Sequence, residues 1–185
     1  VFSGFNQPKD ISMDARYEAL CGITQEELDH YFTEPMAEMA AKYRCTPEEM
    51  RLKLKSQYDG YHFSEEMTDI YNPFSLLNAL DSRHIRDYWF SSGTPTYLVR
   101  LLRHFRENMN ELTGKYYRTE QFVDYKADVE YPLPMIYQSG YLTIKDYNRQ
   151  FNTFLLDFPN NEVKCGFLTL LAADYLKPEE ETGGW

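Results

Sequence analysis

Residues 58–102 read YDGYHFSEEMTDIYNPFSLLNALDSRHIRDYWFSSGTPTYLVRLL, and this stretch decides the fold. Asp59-Gly60 is turn chemistry: the Asp side chain bonds nearby backbone N–H groups, and Gly accepts a positive φ. The short aromatic, β-prone pieces Tyr61-His62-Phe63 and Ile70-Tyr71 flank polar residues 64–69, which predicts a small hairpin. Asn72-Pro73 then opens a helix, with Phe74, Leu76, Leu77 and Leu80 available to pack. Tyr88-Trp89-Phe90 forms an aromatic plug before the loop Ser91-Ser92-Gly93. Thr94-Pro95 caps a long helix whose Leu98, Leu101, Leu102 and Phe105 make an apolar stripe.

Upstream, residues 1–22 read as a strand end plus loop, with Asn6-Gln7-Pro8-Lys9-Asp10 as the turn. Thr24 with Glu27 three residues on is a capping box, and Leu28, Tyr31 and Phe32 continue an apolar face. Pro35 then demands a kink or a new helix. Thr46-Pro47-Glu48-Glu49 combines an N-cap, Pro at the first helical position and a closing Glu, with Met50, Leu54 and Tyr58 on one face.

Downstream, residues 107–131 are polar and tyrosine-rich, with one short helix expected across Glu120–Tyr125. Met135–Gly140 ends a helix and Tyr141–Ile144 reads as a strand. Asp146-Tyr147-Asn148-Arg149 reads as a turn, Phe151–Phe158 as a second strand, Glu162-Val163-Lys164 as a third, and Phe167–Leu176 as a closing helix. Helices followed by a β-hairpin wing make a winged-helix unit. The expected fold is mainly α with small β-hairpins, an α+β class. Its units are a leading edge (1–22), a helical subdomain with a small hairpin (23–110), a winged-helix-like subdomain (111–177) and a linker (178–185).

The chain has 185 residues, 43% hydrophobic and 16% aromatic, enough for a core. Its sixteen tyrosines suit half-buried positions, with the ring inside and the hydroxyl at the surface. Nineteen basic against 29 acidic residues give a net charge of −10, the wrong sign for a nucleic-acid surface. Lys126 is the sole basic residue in 119–139, so a DNA-reading helix is not expected there either. Cys21, Cys45 and Cys165 lie far apart, which predicts buried thiols in a reducing cytoplasm rather than disulfides. His30, His62, His84 and His104 lack metal-ligand spacing, and no apolar run approaches the length of a membrane span.

Three blocks, Tyr58-Asp59-Gly60-Tyr61-His62-Phe63, Tyr71-Asn72-Pro73-Phe74-Ser75-Leu76-Leu77, and Tyr88-Trp89 followed by Ser92-Gly93-Thr94-Pro95, resemble in order and spacing the bacterial "predicted AAA-ATPase" family. The block Asp157–Val163 also resembles it, at the junction before a nuclease-like domain. The resemblance implies the C-terminal portion of an ATPase-like module. Its partners would be an upstream ATPase core and a downstream nuclease-like domain of the same protein, with no direct nucleic-acid or membrane contact. ATP and magnesium would belong to the complete protein only. None of the nine glycines here precedes Lys-Ser or Lys-Thr, so the chain has no P-loop, and no catalytic residue is expected.

Gly93-Thr94-Pro95 resembles the Gly-x-Pro turn of STAND-type ATPases, where a helical lid packs over the nucleotide base. The same residues also make an ordinary helix start. Arg100, with Arg103 and Arg106 on the same helix, fits either a phosphate sensor or a solvated basic face. The cofactor-contact candidates are therefore Gly93, Thr94, Pro95 and Arg100. Asp59 reads as a turn former. Glu162-x-Lys164 has the spacing of a nuclease motif but lacks a matching upstream Asp. The rival reading is a protein-interaction module of winged-helix type that senses no nucleotide.

Overall fold

The computed structural model describes residues 10–91, 112–123 and 132–175. Within them lie seven α-helices and one three-stranded antiparallel sheet, a mainly helical α+β fold.

The first helices form where the caps dictate. Helix α1 (Gln25–Tyr31) opens on a complete box: Thr24 Oγ1 accepts the Glu27 N–H at 3.2 Å, and Glu27 accepts the Thr24 N–H at 2.9 Å. Helix α2 (Thr33–Lys42) is the new helix that Pro35 demands, with the proline in its first turn. Helix α3 (Pro47–Tyr58) repeats the box between Thr46 and Glu49 at 3.2 and 2.8 Å. Helix α4 (Pro73–Ser82) starts at Asn72, whose side chain accepts the Ser75 N–H. Leu28, Met36, Met39, Met50, Leu54, Tyr58, Leu76 and Leu80 from these four helices form the first core.

Some expected packing residues stay outside. Tyr31 is 69% exposed, and Phe74 and Leu77 project from the solvent face of α4. Each lies off the stripe that meets the neighbouring helices. The predicted hairpin is reduced to one bridge pair, Tyr61 with Ile70, while Tyr71 pairs with Ile23 instead. The tyrosines split. Tyr58 and Tyr71 are wholly buried, their hydroxyls donating to the Arg86 carbonyl and to Gln25, and burial pushes both phenols up. Cys21 and Cys165 are exposed free thiols, not the buried ones expected.

The second core gathers around the sheet. Strands β1 (Lys115–Tyr117), β2 (Thr143–Asn148) and β3 (Thr153–Asp157) lie in the order β1-β3-β2. Helix α5 (Tyr88–Ser91), helix α6 (Leu133–Gln138) and helix α7 (Asn161–Tyr175) pack with it. Two expectations are corrected here. Residues 146–148, read as a turn, continue β2, because Tyr147 stacks on Phe154 across the pair at 4.6 Å. Residues 162–164, read as a strand, are the first turn of α7. Asn160 caps that turn by accepting the Val163 N–H, and the third strand is supplied by 115–117. The short helix near Glu120 is a 3₁₀ turn, Thr119–Gln121. The hairpin β2–β3 is one of the small β-hairpins expected of this α+β fold.

Candidate functional site

The two cores meet along a seam that is largely polar. From one side come the C-terminal end of α3 and the segment 59–70. From the other come Gly140, β2 and the start of α7. The turn at Gly60 makes the approach close: its φ is +90°, and a Cβ there would fall 2.5 Å from the Pro159 carbonyl oxygen and 2.8 Å from the Lys145 ammonium. A side chain is excluded by conformation and by space together.

Lys145 is aimed into the seam by a β-bulge. The register between β2 and β3 slips between Ile144 and Asp146, leaving Lys145 as the extra residue. Its Nζ donates to Gly60 O at 2.6 Å and Pro159 O at 2.7 Å. Burial lowers its pKa, opposed by the acidic groups Asp69, Asp59 and Asp157. Next to it, the Thr143 hydroxyl accepts the His62 N–H at 2.8 Å and donates to the His62 carbonyl at 3.0 Å. The His62 ring spans from the Ile144 carbonyl, 2.6 Å from Nδ1, to Asp69, 2.7 Å from Nε2. Lys55 closes the row with a 2.8 Å bond to Asp69. Burial pushes the Asp69 carboxyl up, but the bonds from Lys55 and His62 outweigh it and hold the group below its ordinary value.

Two buried carboxylates complete the seam. Asp59 is 1% exposed, and among the described residues neither oxygen has a hydrogen bond of good geometry. The Gly60 N–H gives the largest support, ahead of Lys55, which stands 3.7 Å away. Burial therefore prevails and raises the Asp59 pKa. The turn-former reading survives only in the chain's direction change, because the carboxylate itself makes no well-formed turn bond. Glu162, in the first turn of α7, is wholly buried and accepts the backbone N–H of Trp89 at 2.9 Å. Burial raises its pKa against bonds from Trp89, Ser75 and Tyr88. Glu162 is thus the N-terminal cap of α5, delivered from another helix.

Helix α5 presents its aromatic pair to the second core. Trp89 lies 4.8 Å from the Tyr141 ring. Phe90 covers Gly166 of α7 so closely that a Cβ there would lie 2.1 Å from the ring. Beside Trp89 opens a cavity of about 600 Å³, lined from both cores, with Tyr61, Phe63, Asn72 and Tyr137 among its walls.

Of the residues singled out from the sequence, Gly93, Thr94, Pro95 and Arg100 lie outside the described residues, as do Arg103 and Arg106. Trp89 is placed at the cavity. Glu162 and Lys164 sit on a helical turn, Glu162 buried and Lys164 exposed, not on the adjacent strands a nuclease centre needs. His62, Asp69, Lys145 and the capping role of Glu162 escaped sequence reading. Their partners lie from 7 to 85 residues away, and no local motif announces them. Among the described residues no group of three or more His, Cys, Asp or Glu is placed to hold a metal, and no helix is long and apolar enough to cross a membrane.

No family model matches the chain, and no solved structure matches it. Over 181 residues, 95% of its length, the chain is 34% identical to an "Uncharacterized protein in vnfD 5'region" from Azotobacter chroococcum mcd 1. The chain spans 32% of that protein's length.

Proposed function

We propose that this chain is the C-terminal lid and coupling portion of an AAA-ATPase-like protein. It would pass nucleotide state from an upstream ATPase core to a downstream nuclease-like domain, without hydrolysing ATP itself. The observation that carries the proposal is the Glu162–Trp89 bond. Trp89 stands four residues before Gly93, the first residue of the Gly-x-Pro turn. Its backbone N–H is held by the first turn of α7, the last described helix of the chain. A displacement of the turn on nucleotide binding would pull directly on α7. The tight seat of Phe90 on Gly166 adds a second mechanical link between the same two helices.

Under this reading Pro95 packs on the adenine and Arg100 reaches toward the terminal phosphate. No step is assigned to magnesium or to hydrolysis on this chain, whose sequence contains no phosphate cradle. The cellular setting proposed is the cytoplasm.

The test is fluorescent-ATP binding to this chain and to the longer protein that includes the upstream core. Binding by the longer form alone, lost on Pro95→Ala or Arg100→Ala, is the expected result. Glu162→Ala should leave that binding intact while abolishing the nucleotide-dependent change in protease sensitivity at the C-terminal end of α7. Binding indifferent to Pro95 and Arg100 would return the chain to the rival reading, an interaction module.

A further inference from the structure

His62 sits where the seam is most tightly determined. The residue is 7% exposed, and its backbone is gripped at both ends: the Thr143 hydroxyl accepts its N–H at 2.8 Å and donates to its carbonyl at 3.0 Å. The ring therefore has one seat. Nδ1 lies 2.6 Å from the Ile144 carbonyl oxygen of β2, and Nε2 lies 2.7 Å from Asp69 Oδ1, on the segment leading to α4. Turning the ring over would set carbon against both oxygens.

These two partners decide the charge on the ring. A carbonyl oxygen only accepts, so Nδ1 must carry a proton. An ionised carboxylate also only accepts, so Nε2 must carry one as well. Asp69 is ionised here: Lys55 donates to its other oxygen at 2.8 Å, and against the upward push of burial the bonds from Lys55 and His62 hold its carboxyl below the ordinary value. A neutral imidazole has one donor and one acceptor, and in this seat its bare nitrogen would face an oxygen lone pair at 2.6 or 2.7 Å. The charged groups around the ring suit the cation. Asp59 adds a second carboxyl from the end of α3, and attraction to His62 is among the forces that oppose its burial. Lys145, the like charge on the β2 side, is drawn off to the Gly60 and Pro159 carbonyls. Glu18 is taken up by the hydroxyls of Ser64 and Thr68.

We propose that His62 is held as the doubly protonated imidazolium and that the seam is a proton-coupled latch, shut while His62 keeps both ring protons and released when one of them leaves to water. The ring ties the segment 59–70 to β2, so the closed seam contains a proton that a solvated histidine gives up above neutral pH. Opening then releases one proton, and it becomes easier as pH rises, by up to about tenfold for each pH unit above neutrality. At the acid end the latch holds until Asp69 is protonated, as pH falls through its depressed value. The latch is a property of the seam itself and does not rest on the lid reading.

Nitrogen–proton correlation NMR of the histidine rings, at pH 7.5, counts the ring protons directly. His62 should show two N–H signals where a neutral ring shows one. Asp69→Asn replaces the carboxylate with an amide that can donate to Nε2, and His62 should then show one signal. Lys55→Met removes the neighbouring charge but leaves the carboxylate, and both signals should remain. Hydrogen exchange at the His62 amide, which Thr143 holds, reads the opening of the seam. After correction for the intrinsic base dependence of exchange, the opening constant should rise about five- to tenfold per pH unit between 7.5 and 9 in the parent, and should change less than about twofold in Asp69→Asn. A single ring N–H in the parent at pH 7.5 would overturn the proposal. So would two signals that survive Asp69→Asn, or an opening constant in the parent that is indifferent to pH.

Discussion

Replacing Asp59 with Asn removes a charge from the seam while keeping its shape, and the consequence for stability can be worked out in sign and size. Both carboxylate oxygens are buried without a good hydrogen bond among the described residues, a situation that costs about 1–3 kcal/mol and more when the group is charged. The compensation comes first from the Gly60 backbone N–H and then from Lys55 at 3.7 Å from Asp59. At an effective dielectric of about 20 that pair would reach about 4 kcal/mol. However, Lys55 is 45% exposed and already bonded to Asp69 at 2.8 Å, so the smaller figure for exposed pairs, about 0.2–1 kcal/mol, applies. Burial wins, in keeping with the raised pKa of Asp59. A carboxyl whose folded pKa is raised contributes stability that is full below its unfolded value, about 3.9, and lost as pH rises through the folded value. Asp59→Asn should therefore be more stable than the parent at pH 8, by about 1–2 kcal/mol, or roughly 2–8 °C in melting temperature. The advantage should shrink as pH falls through the raised folded value, where the parent's carboxyl takes up its own proton. Glu162, shifted in the same direction, is present in both chains and cancels in the comparison. Asp69, shifted the other way, loses its contribution only as pH falls through its depressed value, below this window. Urea unfolding of both chains at several pH values, from 8 down to about 4, near the unfolded value, is the assay. A variant less stable than the parent at pH 8, or a difference that does not change with pH, would refute the reasoning.

Three further outcomes follow from the same seam. Gly60→Ala should cost about 2–4 kcal/mol, because the φ of +90° and the 2.5 Å approach to Pro159 O cannot both be kept; equilibrium unfolding reads it directly. Thr143→Val should cost about 2–3 kcal/mol by stranding the His62 N–H and carbonyl, and Thr143→Ser should recover most of it in the same assay. Gly166→Ala should displace Phe90 from α7 and cost about 1–3 kcal/mol, read by thermal melting alongside a red-shifted tryptophan emission as Trp89 loses its neighbour.

The helix starts were legible because their causes are local. Thr24 with Glu27, Thr46 with Glu49, and Asn72 before Pro73 each satisfy backbone donors within three residues, and the structure places helices there. The misreadings share one cause, which is that distant chain decided the outcome. Asp146-Tyr147-Asn148 has turn composition, but Tyr147 finds Phe154 across the sheet and the strand runs on. Val163 between Glu162 and Lys164 mimics strand alternation. In fact Glu162 faces inward to accept the N–H of Trp89, 73 residues earlier in the chain. Asn160 did carry a signal, a cap residue three before Val163, but Pro159-Asn160-Asn161 has turn composition as well. Tyr116 and Tyr117 are β-prone, yet a three-residue strand forms only because Leu155 and Phe154 lie opposite.

The composition of the seam bears on what the joint is for. The helical core and the sheet core are joined in part by apolar packing, as where Phe90 seats on Gly166 and Trp89 lies against Tyr141. The rest of the join is made by directed bonds at single residues: Lys145 to two carbonyls, the Thr143 hydroxyl to both sides of His62, Asn160 to the Asp59 carbonyl, and the Trp89 N–H to Glu162. Such bonds have narrow geometric tolerance, so the seam has one closed arrangement and loses several bonds together when it moves. The under-bonded Asp59 within it works against that closed arrangement at neutral pH. Under the proposed coupling role, a joint of this kind would let one part shift against another, with Trp89 held at it by Glu162.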